Sequence, residues 1–209
     1  STLRHMTPDV IKVILRLPPN IKLGFYPGQY VDLISRDGVT RSYSIANAPK
    51  DDNLIELHIK RVSGGSFSNY WFGDAKENDL LRLKGPLGTF FLRDIYGKDV
   101  VFLATGTGIS PVKAMLDGLK SLPEKAKPKS VTIYWGARKP EDLYLDEFHD
   151  NPSCQYVPVV SRPPTTWVGS SGYVQDVFMA DFPDLSQTVV YACGSDLMIK
   201  SAQTLLGAA

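Results

Sequence analysis

The feature that most constrains the fold is a change in hydrophobic pattern near residue 97. Before it, short segments of alternating apolar and polar residues are separated by turns, at residues 10–16, 29–35, 40–46, 54–61, 80–84 and 89–93. Alternation with a period of two is typical of half-buried strands, and strands at this spacing favour a small antiparallel barrel. After it, apolar strands alternate with amphipathic helices, which indicates a parallel α/β sheet.

We therefore predict two domains, a six-stranded antiparallel β-barrel over residues 1–97 and a parallel α/β domain over residues 98–209. Within the barrel domain, a short helix is expected at residues 66–72. In the second domain, strands are expected at 100–104, 131–135, 155–160 and 189–192, and helices at 111–122, 141–149, 173–180 and 196–206. Ser110 is a suitable N-cap for the first of these helices, and Pro111 suits its first position because a proline lacks the N–H that would be unpaired there.

The composition excludes several function classes. The chain has 23 Lys and Arg against 22 Asp and Glu, so a broad surface for nucleic acid is not expected. No apolar run approaches the roughly 18 residues that span a bilayer. The only cysteines, Cys154 and Cys193, lack the spacing of a disulfide framework or a metal site. We therefore expect a cytoplasmic location, no iron–sulfur cluster within this chain and no metal site.

Arg41-Ser42-Tyr43-Ser44 lies on one of the predicted strands. Alternation places Arg41 and Tyr43 on one side of that strand, and the two serines on the other. A tyrosine ring can cover a flat isoalloxazine, an arginine can pair with a pyrophosphate, and a serine can hydrogen bond the reactive edge of a flavin. The alternative is an ordinary half-exposed strand, so the interpretation depends on the turns that follow.

Two glycine-rich turns follow in order. Gly64-Gly65-Ser66-Phe67-Ser68 opens the predicted short helix, where backbone N–H groups and hydroxyls could bind a phosphate; the alternative is a glycine-rich hairpin. The second turn, from Thr105 to Pro111, joins a strand to a helix, which is where open α/β sheets bind nucleotides. It departs from the Rossmann fingerprint, because Pro111 replaces the third glycine and the next strand supplies no acidic ligand for a ribose.

The motifs RSYS, GGSFS, GPLG, ATGTGISP, YWGARKPEDLY, SRP, GYVQ and YACGSDLM occur in this order over nearly the whole chain. In that order they resemble the ferredoxin–NADP reductase family of flavoproteins, and most of all a branch that contains oxygenase reductases and CDP-6-deoxy-Δ3,4-glucoseen reductases. The resemblance implies an FAD-binding barrel and an NAD(P)-binding α/β domain. In that branch the two domains accompany a [2Fe-2S] ferredoxin domain, so the chain resembles either the flavin and nicotinamide portion of a longer enzyme or a stand-alone relative.

The resemblance also implies roles for individual residues. Tyr43 would stack on the isoalloxazine and Ser44 would lie near flavin N5, while Cys193 would help to position the nicotinamide; these three are the expected catalytic residues. The FAD ligands that the family pattern implies are Arg41, Tyr43, Ser44, His58, Ile59, Lys60, Gly65, Ser66 and Ser68. For His58, a ring packed within the protein is an equal alternative.

The NAD(P) ligands that the family pattern implies are Thr105, Gly106, Thr107, Gly108, Pro111, Arg138, Ser161, Arg162, Tyr173, Cys193 and Gly194. Thr105 would be shared by the two nucleotides. Ser161, Arg162 and Tyr173 match positions that hold the 2′-phosphate of NADPH in some relatives, and Arg138 could assist. Close NADH-dependent relatives carry a similar Ser-Arg pair, so NADH is the first expectation and NADPH the second.

The resemblance therefore predicts an NAD(P)H-dependent, FAD-containing reductase. A hydride would pass from NAD(P)H to FAD, and single electrons would then pass to an iron–sulfur centre or protein acceptor, with deoxysugar biosynthesis as one pathway that it suggests. Two alternatives stay open at this point. One is an NAD(P)H:flavin reductase that acts on free flavin, and the other is a non-catalytic electron-transfer subunit.

Overall fold

A computed structural model of the protein describes residues 2–35, 38–182 and 184–207. The chain folds into two compact units. The first unit comprises the chain up to Leu92 together with Ser110–Ser121, and the second comprises Arg93–Ile109 together with the chain from Leu122. A helix from the second half of the sequence is thus grouped with the strands of the first half. A single boundary at residue 97 stays a prediction.

The first unit contains antiparallel strands arranged in two sheets of three. One sheet has the order β1-β2-β5 and the other β4-β3-β6, and an isolated bridge pairs Ile45 with Leu57. The strands are β1 (Thr2–Thr7), β2 (Val10–Arg16), β3 (Tyr30–Ile34), β4 (Thr40–Ser44), β5 (Leu54–Lys60) and β6 (Arg82–Leu87). The predicted class of fold, antiparallel strands followed by a parallel α/β sheet, is confirmed.

One strand of the first unit was not predicted, and one predicted strand does not form. Residues 2–7 form β1, which the sequence analysis missed, because none of its residues is buried and its alternation is weak. Residues 89–93 form no strand. This segment lies between Gly88 and Asp94, which both have positive φ (89° and 41°), and its aromatic residues contact side chains instead, as Phe91 stacks on Tyr26 at 4.9 Å.

The core of the first unit is built from the inward residues of these strands and one short helical segment. Helix α1 (Ser66–Asn69) continues into a π-helical turn, Tyr70–Asp74, in place of the single helix predicted at 66–72. This segment contributes Phe67 and Trp71 to the core. The strand residues packed there are Ile11, Val13, Leu15, Val31, Leu33, Ile45, Ile55, Leu57 and Ile59.

Helix α2 (Ile109–Leu119) begins earlier than predicted. A 3₁₀ turn, Gly106–Gly108, precedes it, and the Ile109 N–H donates to the carbonyls of Gly106 and Thr107. Because helical hydrogen bonding is already established there, Ser110 is a buried helical residue and not the N-cap. Pro111 occupies the third position of α2 and not the first.

The second unit contains a parallel sheet of five strands in the order β10-β9-β8-β7-β11. The strands are β7 (Asp99–Thr105), β8 (Ser130–Ala137), β9 (Gln155–Val160), β10 (Ser170–Ser171) and β11 (Thr188–Cys193), and the helices are α3 (Val174–Asp181) and α4 (Asp196–Gly207). Apart from the short β10, each was predicted to within a few residues. Parallel pairing brings the carboxyl ends of β7, β8, β9 and β11 to one edge.

The helix predicted at residues 141–149 is wrong. The segment forms two 3₁₀ turns, Pro140–Asp142 and Asp146–Phe148. Between them Leu145 is extended, with φ −115° and ψ 110°, which lets Tyr144 and Phe148 both contact the ring of Trp135. Over the ranges given above, no helix is both long and apolar enough to cross a bilayer, and no group of three or more His, Cys, Asp or Glu could hold a metal.

Candidate functional site

Strand β4 presents its predicted flavin residues on two faces. Tyr43 lies opposite Val31 and Arg41 opposite Leu33, so both share the face of two buried core residues. On the other face, the Ser42 hydroxyl donates to an oxygen of Asp32 at 2.6 Å. The predicted alternation is therefore present, and Ser44 shares the face of Ser42.

The two larger side chains of β4 differ in exposure. Tyr43 is half-buried, with its ring centroid 6.3 Å from that of Phe67. Burial raises the pKa of Tyr43, while Trp71 and Arg41 act in the opposite direction. The phenol therefore stays neutral at physiological pH and offers a ring face and a hydroxyl. Arg41 is exposed, and one of its guanidinium nitrogens donates to the Thr40 carbonyl at 2.8 Å.

The first glycine-rich turn is closed by a side chain. The Ser68 hydroxyl oxygen accepts from the Val62 N–H at 2.7 Å, and the Gly65 N–H donates to the Val62 carbonyl at 3.1 Å. Gly64 has φ 71°, a conformation that glycine adopts without strain. Gly65 is the N-cap of α1 and has no side chain to cap it. The first amides of α1 and the exposed Ser66 hydroxyl therefore make a neutral donor set that fits a phosphate.

Strand β5 places its three predicted residues in different surroundings. Ile59 is 1% exposed and packs in the core. The His58 side chain is fully buried, and its Nε2–H donates to an oxygen of Glu56 at 2.8 Å. This matches the alternative of a packed ring. Lys60 ends the strand and is exposed. A role for these residues in binding FAD stays a prediction.

Glu56 is the centre of a buried charge cluster, which we define as Lys12, Glu56, His58 and Lys113. Its carboxylate lies 3.2 Å from the Lys12 ammonium and 3.4 Å from that of Lys113. Lys113, on α2, also donates to the Ala46 carbonyl at 3.2 Å. Burial alone would raise the pKa of Glu56, but the hydrogen bond from His58 and the charges of Lys113 and Lys12 outweigh it and lower the pKa from 4.5 to about 2.

In the second unit, two glycines allow two backbone segments to touch. A Cβ on Gly108 would overlap the carbonyl of Cys193, and a Cβ on Gly194 would overlap the hydroxyl of Thr105. The family pattern implies that both glycines contact NAD(P), but the neighbouring protein atoms already require a glycine at each position. Gly106 has φ 54°, a backbone conformation that favours glycine at this third position as well. The turn is therefore packed tightly against the end of β11.

The end of β11 is joined to this turn by hydrogen bonds. The Ser195 N–H donates to the Thr105 hydroxyl oxygen at 3.0 Å, and the Ser195 hydroxyl accepts from the Met198 N–H at 3.3 Å, as an N-cap of α4 does. Burial raises the pKa of the half-buried Cys193 thiol to about 11. The thiol is therefore neutral at physiological pH, and a role for it in positioning the nicotinamide stays a prediction.

The residues predicted for a 2′-phosphate lie at neighbouring strand ends. The Arg162 N–H donates to the Arg138 carbonyl at 2.9 Å, and the Ser161 N–H and hydroxyl both donate to the Ala137 carbonyl, at 3.0 and 3.3 Å. Both arginines are exposed. Tyr173 is the residue before α3 and is 64% exposed. The structure thus brings the two arginines together at the backbone, at the edge where β8 and β9 end.

Family models match most of the chain. Residues 2–92 match the oxidoreductase FAD-binding domain, and residues 102–204 match the oxidoreductase NAD-binding domain. The fold is similar to the ferredoxin reductase in carbazole 1,9a-dioxygenase, with a TM-score of 0.88 and 28% identity over 99% of this chain and 63% of that chain. The chain belongs to the ferredoxin reductase-like oxidoreductases.

The chain is also similar to other reductases in sequence and in structure. The chain is 45% identical over 97% of its length to a CDP-6-deoxy-L-threo-D-glycero-4-hexulose-3-dehydrase reductase of Yersinia pestis, and 33% identical over 94% to the terephthalate 1,2-dioxygenase reductase component 1 of Comamonas sp. It spans only 61% and 59% of those proteins. A ferredoxin NADP⁺ reductase from Neisseria gonorrhoeae, solved with FAD and NADP, has a TM-score of 0.83 and 25% identity over 98% of this chain and 87% of that one.

Sequence reasoning missed three residues of this reductase-like chain. Glu56 and Lys113 belong to the buried charge cluster, and Trp135 donates its indole N–H to the Gly106 carbonyl at 3.0 Å. Two signals were present in the sequence: a Glu and a His alternate on an otherwise apolar strand, and a large aromatic residue precedes Gly136. Neither pattern indicates which residue is contacted, because Lys113 and Gly106 are distant in sequence from Glu56 and Trp135.

Proposed function

We propose that the chain is an NAD(P)H-dependent, FAD-containing reductase, with FAD held by residues 1–97 and NAD(P)H by residues 98–209. It would take a hydride from NAD(P)H and deliver single electrons to an iron–sulfur domain or protein. The observation that supports this most is that each matched cofactor domain contains one glycine-rich turn, at Gly64–Ser68 and at Thr105–Gly108. Both turns end directly in a helical segment.

FAD, when bound, supplies the chemistry that converts a two-electron donor into a one-electron donor. We assign its ring to the exposed part of Tyr43 and its reactive edge to the Ser44 hydroxyl. The pyrophosphate would be held by Arg41, by the first amides of α1 and by the hydroxyl of Ser66. Ser68 would act indirectly, because its oxygen already holds the Val62 N–H. This pyrophosphate set argues against a reductase of free flavin, which has no need of one.

On the nicotinamide side, the backbone of Gly106, Thr107 and Gly108 would hold the diphosphate, at the start of the helix that contains Pro111. Thr105 and Gly194 would shape the surface beside them. Cys193 would position the nicotinamide as a neutral thiol, since burial keeps its pKa near 11. No proton needs to leave any of these side chains during hydride transfer, so their contribution is alignment.

NADH remains the first donor to test, and NADPH is the second candidate. The observation that favours NADPH is the backbone pairing of Arg138 with Arg162, two exposed cations at adjacent strand ends. A 2′-phosphate between two guanidinium groups would be well paired. If NADPH is the donor, Arg138→Gln and Arg162→Gln should each raise its KM while leaving the KM of NADH unchanged.

The partner and the pathway are inferred from relatives. Reductase components of oxygenases pass electrons to partner proteins, and a deoxysugar reductase is among the relatives with 45% identity. We infer an iron–sulfur acceptor outside residues 1–209, since Cys154 and Cys193 are the only cysteines here. We also propose a cytoplasmic location, which cell fractionation would test.

The proposal is tested by purifying the chain and measuring its flavin after dialysis. The expected result is FAD that stays bound and supports reduction of a one-electron acceptor by NADH or NADPH. A colourless protein that reduces added riboflavin would instead indicate a reductase of free flavin. A yellow protein that reduces no acceptor with either nucleotide would indicate a non-catalytic subunit.

A further inference from the structure

Trp135 is a buried residue that the proposed chemistry does not use. It lies on β8 and is 0% exposed. Its indole N–H donates to the carbonyl of Gly106 at 3.0 Å, across 29 residues of sequence. The acceptor belongs to the turn that follows the neighbouring strand β7, which is the turn assigned above to the diphosphate of NAD(P)H.

The ring of Trp135 is fixed independently of this hydrogen bond. Tyr144 and Phe148 meet it edge-on, with centroids at 5.2 and 6.1 Å and interplanar angles of 87° and 89°. Tyr156 lies 6.5 Å away at 46°. With its ring held on three sides, the indole N–H has one direction in which to point. Trp135 is therefore a rigid support for whatever accepts that N–H.

The hydrogen bond determines how one peptide group of the turn is oriented. The Gly106 carbonyl accepts from both Trp135 and the Ile109 N–H. Because a trans peptide is planar, its carbonyl and the following N–H point in opposite directions. Holding the Gly106 carbonyl towards the indole therefore aims the Thr107 N–H away from it. The positive φ of Gly106, 54°, gives this residue a backbone conformation that other residues rarely adopt.

We propose that Trp135 is a positioning residue for the dinucleotide, which fixes the Gly106–Thr107 peptide so that the Thr107 N–H faces the diphosphate. The inference rests on the proposed function, in that the turn must bind a nucleotide. It extends that function because Trp135, which is 0% exposed, would act through the turn and not by contact with the cofactor. A backbone N–H held in place in this way binds an anion without the entropy cost of ordering a loop.

The test uses Trp135→Phe in the full chain, with Trp167→Phe as the matched control. The Trp167 indole also donates to a backbone carbonyl at 3.0 Å, that of Ser170, but away from the turn. We expect Trp135→Phe to raise the dissociation constants of NADH and of ADP about tenfold, equivalent to about 1.4 kcal/mol. The constant for adenosine, which lacks a diphosphate, should change less than about twofold. Trp167→Phe should leave all three unchanged.

Kinetics should agree with the binding constants. For the proposed reaction, Trp135→Phe should raise the KM for NADH about tenfold and change kcat and FAD content little. A merely structural role would lower stability and affect adenosine and ADP equally. Unchanged ADP affinity in Trp135→Phe, or an equal loss in Trp167→Phe, would overturn the inference.

A second measurement on the unaltered chain does not depend on how the variant folds. With ¹⁵N-labelled tryptophan, the indole signals of Trp71, Trp135 and Trp167 are followed as ADP is added. Only the Trp135 signal should move, since its acceptor shares a peptide group with the Thr107 N–H. A static Trp135 signal at saturating ADP would overturn the inference.

If ADP binding follows the expected pattern but neither NADH nor NADPH reduces bound FAD, the proposed function fails and the role of Trp135 stands. Absence of ADP and NADH binding would overturn both.

Discussion

The two glycine-rich turns are held in shape by different interactions. In the first unit, the turn is closed by the Ser68 hydroxyl, and the preceding strand β5 contributes Glu56 and His58 to the buried charge cluster. In the second unit, the turn requires glycine at positions 108 and 194, because a side chain at either would keep the two backbone segments apart. The first unit contains groups that titrate close to its turn, whereas the second turn is held by steric packing and by hydrogen bonds from the Trp135 indole and the Ser195 N–H. The two sites should therefore respond differently to mutation and to pH.

The largest effect is expected for Gly108→Ala. The new Cβ would overlap backbone atoms of Cys193, which cannot move aside as a flexible side chain could. Overlap of this kind costs about 3 kcal/mol, so kcat/KM for NAD(P)H should fall by roughly a hundredfold. Gly207→Ala is the control, since nothing lies within 4 Å of its Cβ position. Near-normal kinetics in Gly108→Ala would show that the steric account of this turn is wrong.

The next largest effect is expected for Glu56→Ala, measured as the free energy of unfolding in urea. It leaves the buried Lys113 and His58 without the Glu56 carboxylate, which costs about 3 kcal/mol, although Lys113 keeps its ion pair with Asp117 at 3.5 Å. The control is Asp94→Asn, because Asp94 forms its ion pair with Lys98 at the surface, with an 85% exposed side chain; such pairs contribute at most about 1 kcal/mol. Equal losses in the two variants would contradict a special role for the buried charge cluster.

The same cluster predicts how stability changes with acid. The folded-state pKa of Glu56 is about 2, below its ordinary value of 4.5. A lowered carboxyl pKa stabilises the fold above the unfolded value, and this contribution is lost as the pH falls from about 4.5 towards 2. Urea unfolding of Glu56→Gln should show a smaller loss over that range than the unaltered chain. Parallel pH profiles for the two proteins would refute the assignment.

A smaller effect is expected for Ser68→Ala. It removes the acceptor of the Val62 N–H and should cost about 1 kcal/mol, which corresponds to roughly a fivefold weaker binding of FAD. Ser63→Ala, at the exposed serine of the same turn, should leave FAD affinity unchanged. Titration of the flavin-free protein with FAD measures both. An unaltered affinity in Ser68→Ala would show that the Ser68 hydroxyl is not needed to hold the turn in the shape that binds FAD.

The last prediction concerns the chemical reactivity of Cys193, and not binding or stability. Because burial raises its pKa to about 11, iodoacetamide at pH 8 should alkylate it at least roughly tenfold more slowly than free cysteine, since the thiolate is the nucleophile. Mass spectrometry of the digested protein follows the reaction, and Cys193→Ser identifies the signal. Rapid alkylation would mean that the thiol ionises, and its role would then be chemical as well as steric.

The sequence predicted those parts of the molecule in which local pattern and tertiary environment agree. The β7 and β8 strands were found because buried parallel strands are mainly apolar. The turn after β7 was found because glycines between a strand and a helix form a local pattern, although the residue that requires Gly108, Cys193, is distant in sequence. Residues 141–149 were assigned as a helix because their composition suits one. The structure breaks the segment so that Tyr144 and Phe148 reach Trp135, a contact with a distant residue.

The buried charge cluster could not be predicted for a similar reason. Alternation along β5 puts Glu56 and His58 on one face, and a polar face is ordinarily solvated. Here Lys113 of α2 contacts that face, although α2 follows β5 by about fifty residues in the sequence. Lys113 gave no local signal of this contact, because a lysine on an amphipathic helix is ordinarily solvated. Partners that are distant in sequence leave no local pattern.

The most direct test of a reductase with two cofactor sites is an anaerobic titration of the FAD-loaded chain with NADH, and then with NADPH, while the visible spectrum of the flavin is followed. We predict that one equivalent of at least one nucleotide bleaches the bound flavin, and that Gly108→Ala, loaded with FAD to the same extent, bleaches far more slowly. A flavin that stays oxidised with an excess of both nucleotides would contradict the account.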